Sequence, residues 1–194
     1  MMYKTDLMAC DPHKNDRIIL TDLKDRKIGT ATKEEAHRNG LLHRAFSVLL
    51  YRDKEGVRNY LLSRRAAGKY HCAGLWANSC CSHPRDGETL PDAAYARIKE
   101  ELGCTAENLK EIGRFVYRAV FSDGITEYEC DHVLIGRYAG LLNPDPSEVS
   151  ETRWVTEQDL NEWITHEPEN FAPWAFTVFS MAFDPEKQGR TEMV

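Results

Sequence analysis

The chain has 194 residues, of which 42% are hydrophobic and 29% charged, and its formal net charge is −6. This composition is typical of a globular protein with a substantial core, and the acidic balance argues against nucleic acid as a general partner. No run of about 18 apolar residues is present, so we expect no membrane-spanning helix and no membrane partner.

The whole chain, 1–194, is interpreted as one domain with an N-terminal extension over 1–30 and a frayed tail over 184–194. The N-terminus is polar and mixed in charge, unlike a secretory signal or a transit peptide. The six cysteines are expected to be reduced, because the adjacent Cys80 and Cys81 would form a strained bridge. We therefore expect a cytoplasmic protein.

The N-terminal half of the chain predicts loops and one hairpin. The first forty residues are predicted to be mostly loop, with a single apolar run over 17–20. Apolar runs over 45–52 and 60–65 predict two strands joined by a turn at Gly56. Residues 66–78 contain two glycines and no clear period, so we expect an ordered loop there.

The clearest predicted helix covers residues 89–103. Thr89 with Asp92 resembles a capping box, and Gly103 suits the position that follows a helix. Apolar residues recur every four positions between them, which indicates one buried face.

The C-terminal half predicts two strands and then two helices. The strands cover 114–121 and 127–138 and are separated by a turn at 122–124, and the helices cover 157–165 and 173–183. Strands fill the middle of the chain and helices mainly flank them, so the predicted fold class is α+β.

Residues 76–84, Trp-Ala-Asn-Ser-Cys-Cys-Ser-His-Pro, hold the main candidates for chemistry. Cys81 precedes His83 by two residues in a polar, turn-like stretch. A thiol beside a cation or metal has a lowered pKa and exchanges protons near neutrality. An arbitrary cysteine is more often a small buried apolar residue, so this interpretation depends on its neighbours.

Histidines and acids provide a possible metal site. Any one of His37, His43 and His83 would usually be a surface or satisfied core residue. Together with Glu127 and Glu129 they form a mixed set that suits divalent transition metals, without the cysteine pairs of a structural zinc site. The two acids share one face of the predicted strand, a pattern that a solvated edge strand would also show.

The basic candidates lie mainly beside predicted strand and helix ends. They are Lys33, Arg64, Arg65, Lys69 and Arg97. Such a cluster either forms a solvated face or holds a diphosphate, whose oxygens match a guanidinium fork.

Aromatic side chains add a possible apolar wall. Trp76, Tyr117 and Trp174 are by default core residues, and their ring faces would also stabilise a cation that develops during a reaction.

Four segments together resemble the type I isopentenyl-diphosphate isomerase family. They are Asn-Ser-Cys-Cys-Ser-His-Pro at 78–84, Glu-Leu-Gly at 101–103, Tyr-Arg-Ala at 117–119 and Glu-Tyr-Glu at 127–129. The resemblance extends over about residues 33–174, and the motifs are specific in combination. It implies a Nudix-like fold, with a mixed β-sheet core flanked by helices.

The Nudix hydrolases of the same superfamily share the pattern Gly-x5-Glu-x7-Arg-Glu-U-x-Glu-Glu-x-Gly, in which U is apolar. Aligned with this chain, the pattern begins at Ser82, meets Glu88 and ends at Gly103, and its Arg-Glu pair becomes Ala96-Arg97. A metal-binding acid of the hydrolases is therefore a cation here. This change disfavours metal-assisted hydrolysis and favours diphosphate binding.

The resemblance implies that Cys81 and Glu129 are acid-base groups on opposite faces of the substrate, assisted by Tyr117. It implies one divalent metal, Mn²⁺, Mg²⁺ or Zn²⁺, bound by His37, His43, His83, Glu127 and Glu129. It implies that Glu101 binds a second metal, Mg²⁺, which bridges to the diphosphate.

The resemblance also implies that the diphosphate is bound by Lys33, Arg65, Lys69 and Arg97, and that Trp174 faces the developing cation. The implied reaction interconverts isopentenyl and dimethylallyl diphosphate through a tertiary carbocation, in isoprenoid biosynthesis, by a monomer or homodimer. Two alternatives stay open: a Nudix-type diphosphate hydrolase, which would release phosphate, and a non-catalytic module that binds metal or diphosphate.

Overall fold

This computed structural model describes residues 11–121 and 124–184. In this part of the chain nine strands form one mixed sheet: β1 (Arg17–Thr21), β2 (Lys27–Thr32), β3 (His43–Lys54), β4 (Val57–Arg65), β5 (Trp76–Ala77), β6 (Cys80–Ser82), β7 (Thr105–Val120), β8 (Thr126–Ala139) and β9 (Val149–Thr156). The helices are α1 (Lys33–Asn39), α2 (Leu90–Leu102), α3 (Glu157–His166) and α4 (Ala175–Phe183), with a short 3₁₀ helix at Pro168–Asn170. The predicted α+β class is confirmed.

Strand β3 organises the centre of the sheet. It runs parallel to β8, with His43 opposite Glu129. On its other side it pairs antiparallel with β6, where Ser47 is opposite Cys81. A parallel pair requires a long crossover, so residues far apart in sequence meet at these strand positions.

The sheet is covered on both faces. Leu49 of β3 packs in a cluster with Leu160 of α3 and Phe179 of α4, whereas its neighbour Leu50 packs in a second cluster with Ile98 of α2. Successive side chains of a strand point to opposite faces, so β3 contributes to both clusters. Burying each such side chain contributes about 1.5–3 kcal/mol and holds the helices against the sheet.

Helix α2 agrees with its prediction. Thr89 caps its start by accepting a hydrogen bond from the Asp92 amide, and Gly103 follows it in the left-handed conformation, at φ 64°. None of the helices in the described residues is long and apolar enough to cross a membrane.

The prediction of loops in the first forty residues is wrong. The structure places β1, β2 and α1 there, and Thr32 and Glu35 form a reciprocal capping box at the start of α1. Strand β2 is mostly exposed and polar, so it carries little hydrophobic periodicity.

Three further predictions needed correction. The loop predicted over 66–78 contains β5, and the turn-like stretch around Cys81 is strand β6. Strand β7 begins nine residues before the predicted 114, and β9 has no predicted counterpart. These strands have polar, half-exposed faces and pair with partners far away in sequence. The predicted tail beyond residue 184 and most of the turn at 122–124 lie outside the described residues.

Candidate active site

Most of the predicted site residues line one cleft beside the sheet. They are Lys33, Arg65, Lys69, Cys81, His83, Arg97, Glu101, Tyr117, Glu127, Glu129 and Trp174. His37 and His43 are fully buried. Strands β3 and β8, helix α1 and the segment that follows β6 supply the acids and histidines on the side of the cleft nearest Glu129.

Three histidines converge on one carboxylate oxygen. The Nε2 atoms of His83, His43 and His37 lie 2.9, 3.5 and 3.9 Å from Oε1 of Glu129. One ligand atom from each of these four residues falls within 4.8 Å of all the others. This is a mixed nitrogen and oxygen set of the kind that suits a divalent transition metal.

Main-chain carbonyls fix the orientation of two of these rings. Nδ1 of His37 donates to the Lys33 carbonyl at 2.7 Å, and Nδ1 of His43 donates to the Leu41 carbonyl at 2.8 Å. The Nε2 atoms of both rings are therefore unprotonated when the imidazoles are neutral, and they are buried without a hydrogen-bond partner. Two buried Nε2 atoms without hydrogen-bond partners, both close to one carboxylate, are an arrangement that suits metal binding.

The electrostatics of the cluster favour neutral imidazoles and an ionised acid. Burial, and then the neighbouring His43, lower the pKa of His37 well below its usual value. Burial lowers the pKa of His83 to about 4. Burial alone would raise the pKa of Glu129, but the adjacent imidazoles of His43 and His83 hold it well below the usual range. These are the protonation states that metal ligands require.

Glu127 has other partners in this structure. His71 Nε2 lies 2.8 Å from Oε1 of Glu127, and the Tyr117 hydroxyl oxygen lies 2.7 Å from Oε2. Its carboxylate is not among the four clustered ligands. The metal-binding role of Glu127 stays a prediction.

Tyr117 connects the two acids. Its hydroxyl lies 2.7 Å from a carboxylate oxygen of Glu127 and also 2.7 Å from one of Glu129. Burial and these two charges raise the pKa of Tyr117 well above its usual value, so the hydroxyl keeps its proton. It is a stable donor beside the acids.

Cys81 lies on β6 and is held by polar side chains. Nδ2 of Asn78 donates to its Sγ at 3.1 Å, and the hydroxyl oxygen of Ser47 is 3.4 Å away. Burial, followed by the charge of Asp131, raises the pKa of Cys81 to about 12. The expected lowering of the thiol pKa is therefore wrong for this arrangement, and the group is a thiol that retains its proton.

Acids hold the cations of the cleft in place. Lys33 pairs with Asp11 at 2.7 Å, Lys69 pairs with Glu148, and Nη2 of Arg97 lies 3.1 Å from Glu148. Burial opposes the charge of Arg97, but Glu101 and the other acids raise its pKa above the normal value. Arg97 therefore stays charged, and the three side chains line one cleft.

Arg65 and Trp174 form a different wall of the cleft. The guanidinium of Arg65 lies 5.4 Å from the ring centre of Trp174 and donates to the main-chain carbonyl of His71 at 3.2 Å. Tyr117 approaches the same indole, with ring centres 6.4 Å apart. The cleft therefore combines aromatic faces with cations.

Several polar residues of the site escaped the sequence analysis: Ser47, His71, Asn78, Asp131 and Glu148. His71 is buried, stacks on Phe121 with ring centres 5.0 Å apart and contacts Glu127. It lies in a segment that was predicted to be a loop, where no periodicity marked it. The sequence did offer a signal for Asn78, because this residue begins the Asn-Ser-Cys-Cys-Ser-His-Pro motif at 78–84.

Comparison with known proteins identifies the fold. Residues 41–175 match the NUDIX domain family. The structure resembles that of DR0079 from Deinococcus radiodurans, with a TM-score of 0.68 and 18% identity over 87% of this chain and all of that one. It also resembles the MutT protein from Methanosarcina mazei, with a TM-score of 0.57 and 19% identity over 76% and 96% of the two chains. The expected Nudix-like fold is confirmed.

Relatives found by sequence similarity identify the family more narrowly than the fold does. The isopentenyl-diphosphate Delta-isomerase of Burkholderia multivorans is 45% identical over 82% of this chain and 88% of its own length. The protein of the same name from Serratia proteamaculans is 41% identical over 84% and 89%. On the evidence of these relatives and of the domain match, the chain belongs to the isopentenyl-diphosphate Delta-isomerase family of NUDIX-fold proteins.

Proposed function

We propose that this protein interconverts isopentenyl diphosphate and dimethylallyl diphosphate, for isoprenoid biosynthesis in the cytoplasm. The observation that carries the proposal is a single cleft that holds a protonated thiol, Cys81, and an imidazole-bound carboxylate, Glu129, beside several cations. The family membership supports the same reaction. The oligomeric state, expected to be monomer or homodimer, stays a prediction.

The reaction needs two proton transfers at carbon. A proton added to C4 of the alkene leaves a tertiary cation at C3, and loss of a proton from C2 then forms the new double bond. We assign one transfer to Cys81 and the other to Glu129, on opposite faces of the substrate. The proton that one group loses to C4 matches the proton that the other gains from C2, so the reaction balances.

Tyr117 assists the acid side of this pair. Its hydroxyl is 2.7 Å from Glu129 and retains its proton, so it can hold the carboxylate in position or pass a proton to it. Glu127 lies at the same distance from the hydroxyl, which places all three groups in one hydrogen-bonded set.

The histidine cluster fits a divalent metal, which we propose to be Mn²⁺, Mg²⁺ or Zn²⁺. The residues that would hold it are His37, His43, His83, Glu127 and Glu129. When bound, the metal would supply a positive charge that orients Glu129 and lowers its proton affinity.

The cations of the cleft are proposed to bind the diphosphate. Lys33, Lys69 and Arg97 are buried or partly buried, so solvent screens their interaction with a bound anion less than it screens that of exposed cations. Arg65 is proposed to bind the diphosphate together with these three cations. Glu101 is a buried carboxylate on the same cleft, and its oxygen suits Mg²⁺ shared with diphosphate oxygens.

The aromatic wall is proposed to protect the cation intermediate. Trp174 is buried and lines the cleft, and Tyr117 lies beside it. Ring faces attract positive charge, and a cleft closed to water prevents trapping of the cation as an alcohol.

A diphosphate hydrolase is the competing function, because proteins with that activity in their names share the fold. Arg97 argues against it, since it places a cation at a position where the hydrolase pattern has an acid. A module that binds diphosphate without turnover is the third possibility, and the pairing of Cys81 with Glu129 in one cleft argues against it.

One incubation distinguishes the isomerase, the hydrolase and the binding module. The protein is mixed with isopentenyl diphosphate and Mg²⁺ in D₂O, and the products are analysed by NMR. We expect dimethylallyl diphosphate with deuterium in a methyl group. Released phosphate would indicate a hydrolase, and unlabelled, unchanged substrate would indicate a binding module.

A matched pair of variants tests the assigned thiol. Cys81→Ala should abolish the reaction, whereas Cys104→Ala removes a buried thiol in the core beside α2 and should preserve it. Full activity of Cys81→Ala would contradict the role given to Cys81.

A further inference from the structure

We propose that Ser47 and Asp131 are positioning residues that orient the thiol of Cys81. This inference rests on the proposed function, because it explains how the thiol of Cys81 is held in place beside the substrate. Both residues are buried, with 1% exposure each, and neither has a role in the function described above.

The first step of the argument is a hydrogen-bond chain. The Ser47 hydroxyl donates to Oδ2 of Asp131 at 2.8 Å, and its oxygen lies 3.4 Å from Sγ of Cys81. A hydroxyl has one hydrogen, which Asp131 receives, so towards the thiol the Ser47 oxygen acts as an acceptor. The Ser47 oxygen is therefore one acceptor within reach of the S–H group of Cys81, and Oδ1 of Asn78, 3.3 Å from Sγ, is a second.

A second contact holds the sulfur from another direction. Nδ2 of Asn78 donates to Sγ of Cys81 at 3.1 Å and also to the carbonyls of Val48 and Cys80 at 3.0 and 2.9 Å. The amide is fixed by the main chain and cannot follow a rotating thiol. Ser47 and Asn78 therefore hold the thiol of Cys81 from two directions.

The sheet register keeps this chain in place. Ser47 on β3 is directly opposite Cys81 on β6, and Asp131 reaches it from β8 on the other side of β3. All three side chains are thus carried by neighbouring strands. Positions on strands are held more accurately than positions on loops, as a proton-transfer geometry requires.

The burial of Asp131 indicates a purpose other than stability. Its second oxygen, Oδ1, has no hydrogen-bond partner among the described residues. A buried polar oxygen without a partner destabilises the fold. A polar group retained against stability in the interior, next to the reacting thiol, is typical of a functional arrangement.

Three variants test the proposal. In Ser47→Ala and Asp131→Ala, we expect kcat to fall about 10- to 100-fold while KM, metal content and melting temperature stay near the wild-type values. Asp131→Asn keeps an oxygen that accepts from Ser47, so it should recover most of kcat. A residue that only supported the fold would instead lower the melting temperature and metal content together with kcat.

Thr21→Val is the matched control. Thr21 is likewise a buried hydroxyl residue of the sheet, on β1, and it does not line the cleft around Cys81. This variant should leave kcat unchanged. Full kcat in Ser47→Ala, or an equal loss of kcat in Thr21→Val, would overturn the proposal.

A spectroscopic measurement separates this proposal from the proposed function. The S–H infrared band of Cys81 is identified as the band that Cys81→Ala lacks. We expect it to shift in Ser47→Ala, because the thiol then has only Oδ1 of Asn78 as an acceptor, whether or not the protein isomerises any substrate. An unmoved band contradicts the positioning role, whereas a shifted band in a protein without isomerase activity contradicts only the proposed function.

Discussion

Arg97 and Glu101 face each other across one turn of α2, and Nε of Arg97 donates to Oε1 of Glu101. Arg97 also contacts Glu148, so a single buried guanidinium joins the helix to the start of β9. The pair combines the cation proposed to bind the diphosphate with the carboxylate proposed to bind Mg²⁺.

Arg97→Lys keeps the charge and removes the planar fork. We expect KM for isopentenyl diphosphate to rise about tenfold with little change in kcat, because a lysine contacts phosphate oxygens as a point charge. Steady-state kinetics measure both constants. Arg58→Lys, at an exposed guanidinium 3.2 Å from Asp53, is the control and should change neither. Unchanged KM in Arg97→Lys would remove Arg97 from the diphosphate site.

His43→Ala should deplete the protein of metal. The Nε2 atom of His43 is buried, unpartnered and 3.5 Å from Glu129, so its loss opens the proposed coordination shell. We expect a loss of bound Mn²⁺, by elemental mass spectrometry after dialysis, and about a 100-fold loss of activity. His166→Ala on the exposed side of α3 should retain metal and activity. Equal metal content in the two variants would argue against the histidine site.

Tyr117→Phe keeps the ring beside Trp174 and removes only the hydroxyl. We expect kcat to fall about 100-fold or more, because Glu129 loses the donor that lies 2.7 Å away. Tyr138→Phe removes a hydroxyl that donates to the Gly140 carbonyl and should have full activity. If both variants keep the wild-type kcat, Tyr117 acts only as an aromatic wall.

His132 makes stability depend on pH. Its two ring nitrogens lie 3.0 Å from Asp25 and 2.8 Å from Glu111. Burial alone would lower the pKa of His132, but its hydrogen bond with Asp25, together with those to Cys130 and Glu111, raises that pKa to about 11. The folded pKa therefore exceeds the unfolded value of about 6.5.

The direction in which pH changes the free energy of unfolding follows from the linkage between proton binding and folding. The contribution of His132 to the free energy of unfolding is complete below about pH 6.5 and is lost progressively as the pH rises from there through about 11. Urea unfolding at about pH 6 and about pH 9 should show a larger loss for the wild type than for His132→Gln. The same loss in both proteins would show that the imidazole is not stabilised by its acids.

Gly103→Ala should destabilise the fold through two effects. Gly103 has φ 64°, and an added Cβ would lie 2.4 Å from the carbonyl oxygen of Asn143. We expect a loss of about 2–3 kcal/mol or more in the free energy of unfolding. Gly56 has φ 79° with no atom within 4 Å of an added Cβ, so Gly56→Ala should cost about 1 kcal/mol. Equal losses would mean that the Asn143 contact relaxes.

The local signals of the sequence predicted a good part of the fold. Helix α2 was predicted nearly to its ends, because Thr89 and Gly103 act within one turn of it. Strand β3 and β4 followed from their apolar runs. By contrast, β2 and β9 carry polar, exposed faces and exist through pairing with β1 and β4, which no local pattern encodes.

The candidate site divides in the same way. The motif around Cys81, the Glu127 and Glu129 alternation and the cation at Arg97 were present in the sequence and indicated the family. The protonation state of Cys81 could not be predicted from the sequence, because it depends on burial and on the charge of Asp131, which raise the pKa of the thiol.

By itself, the sequence determined which chemical groups this protein has: thiol, imidazole, carboxylate and guanidinium at specific positions. Only the tertiary structure decided which of them meet. The parallel pairing of β3 with β8 places His43 beside Glu129, and the pairing of β3 with β6 places Ser47 beside Cys81. Residues 86 and 34 positions apart become neighbours in this way, because hydrogen bonding between strands acts across space and is independent of sequence separation.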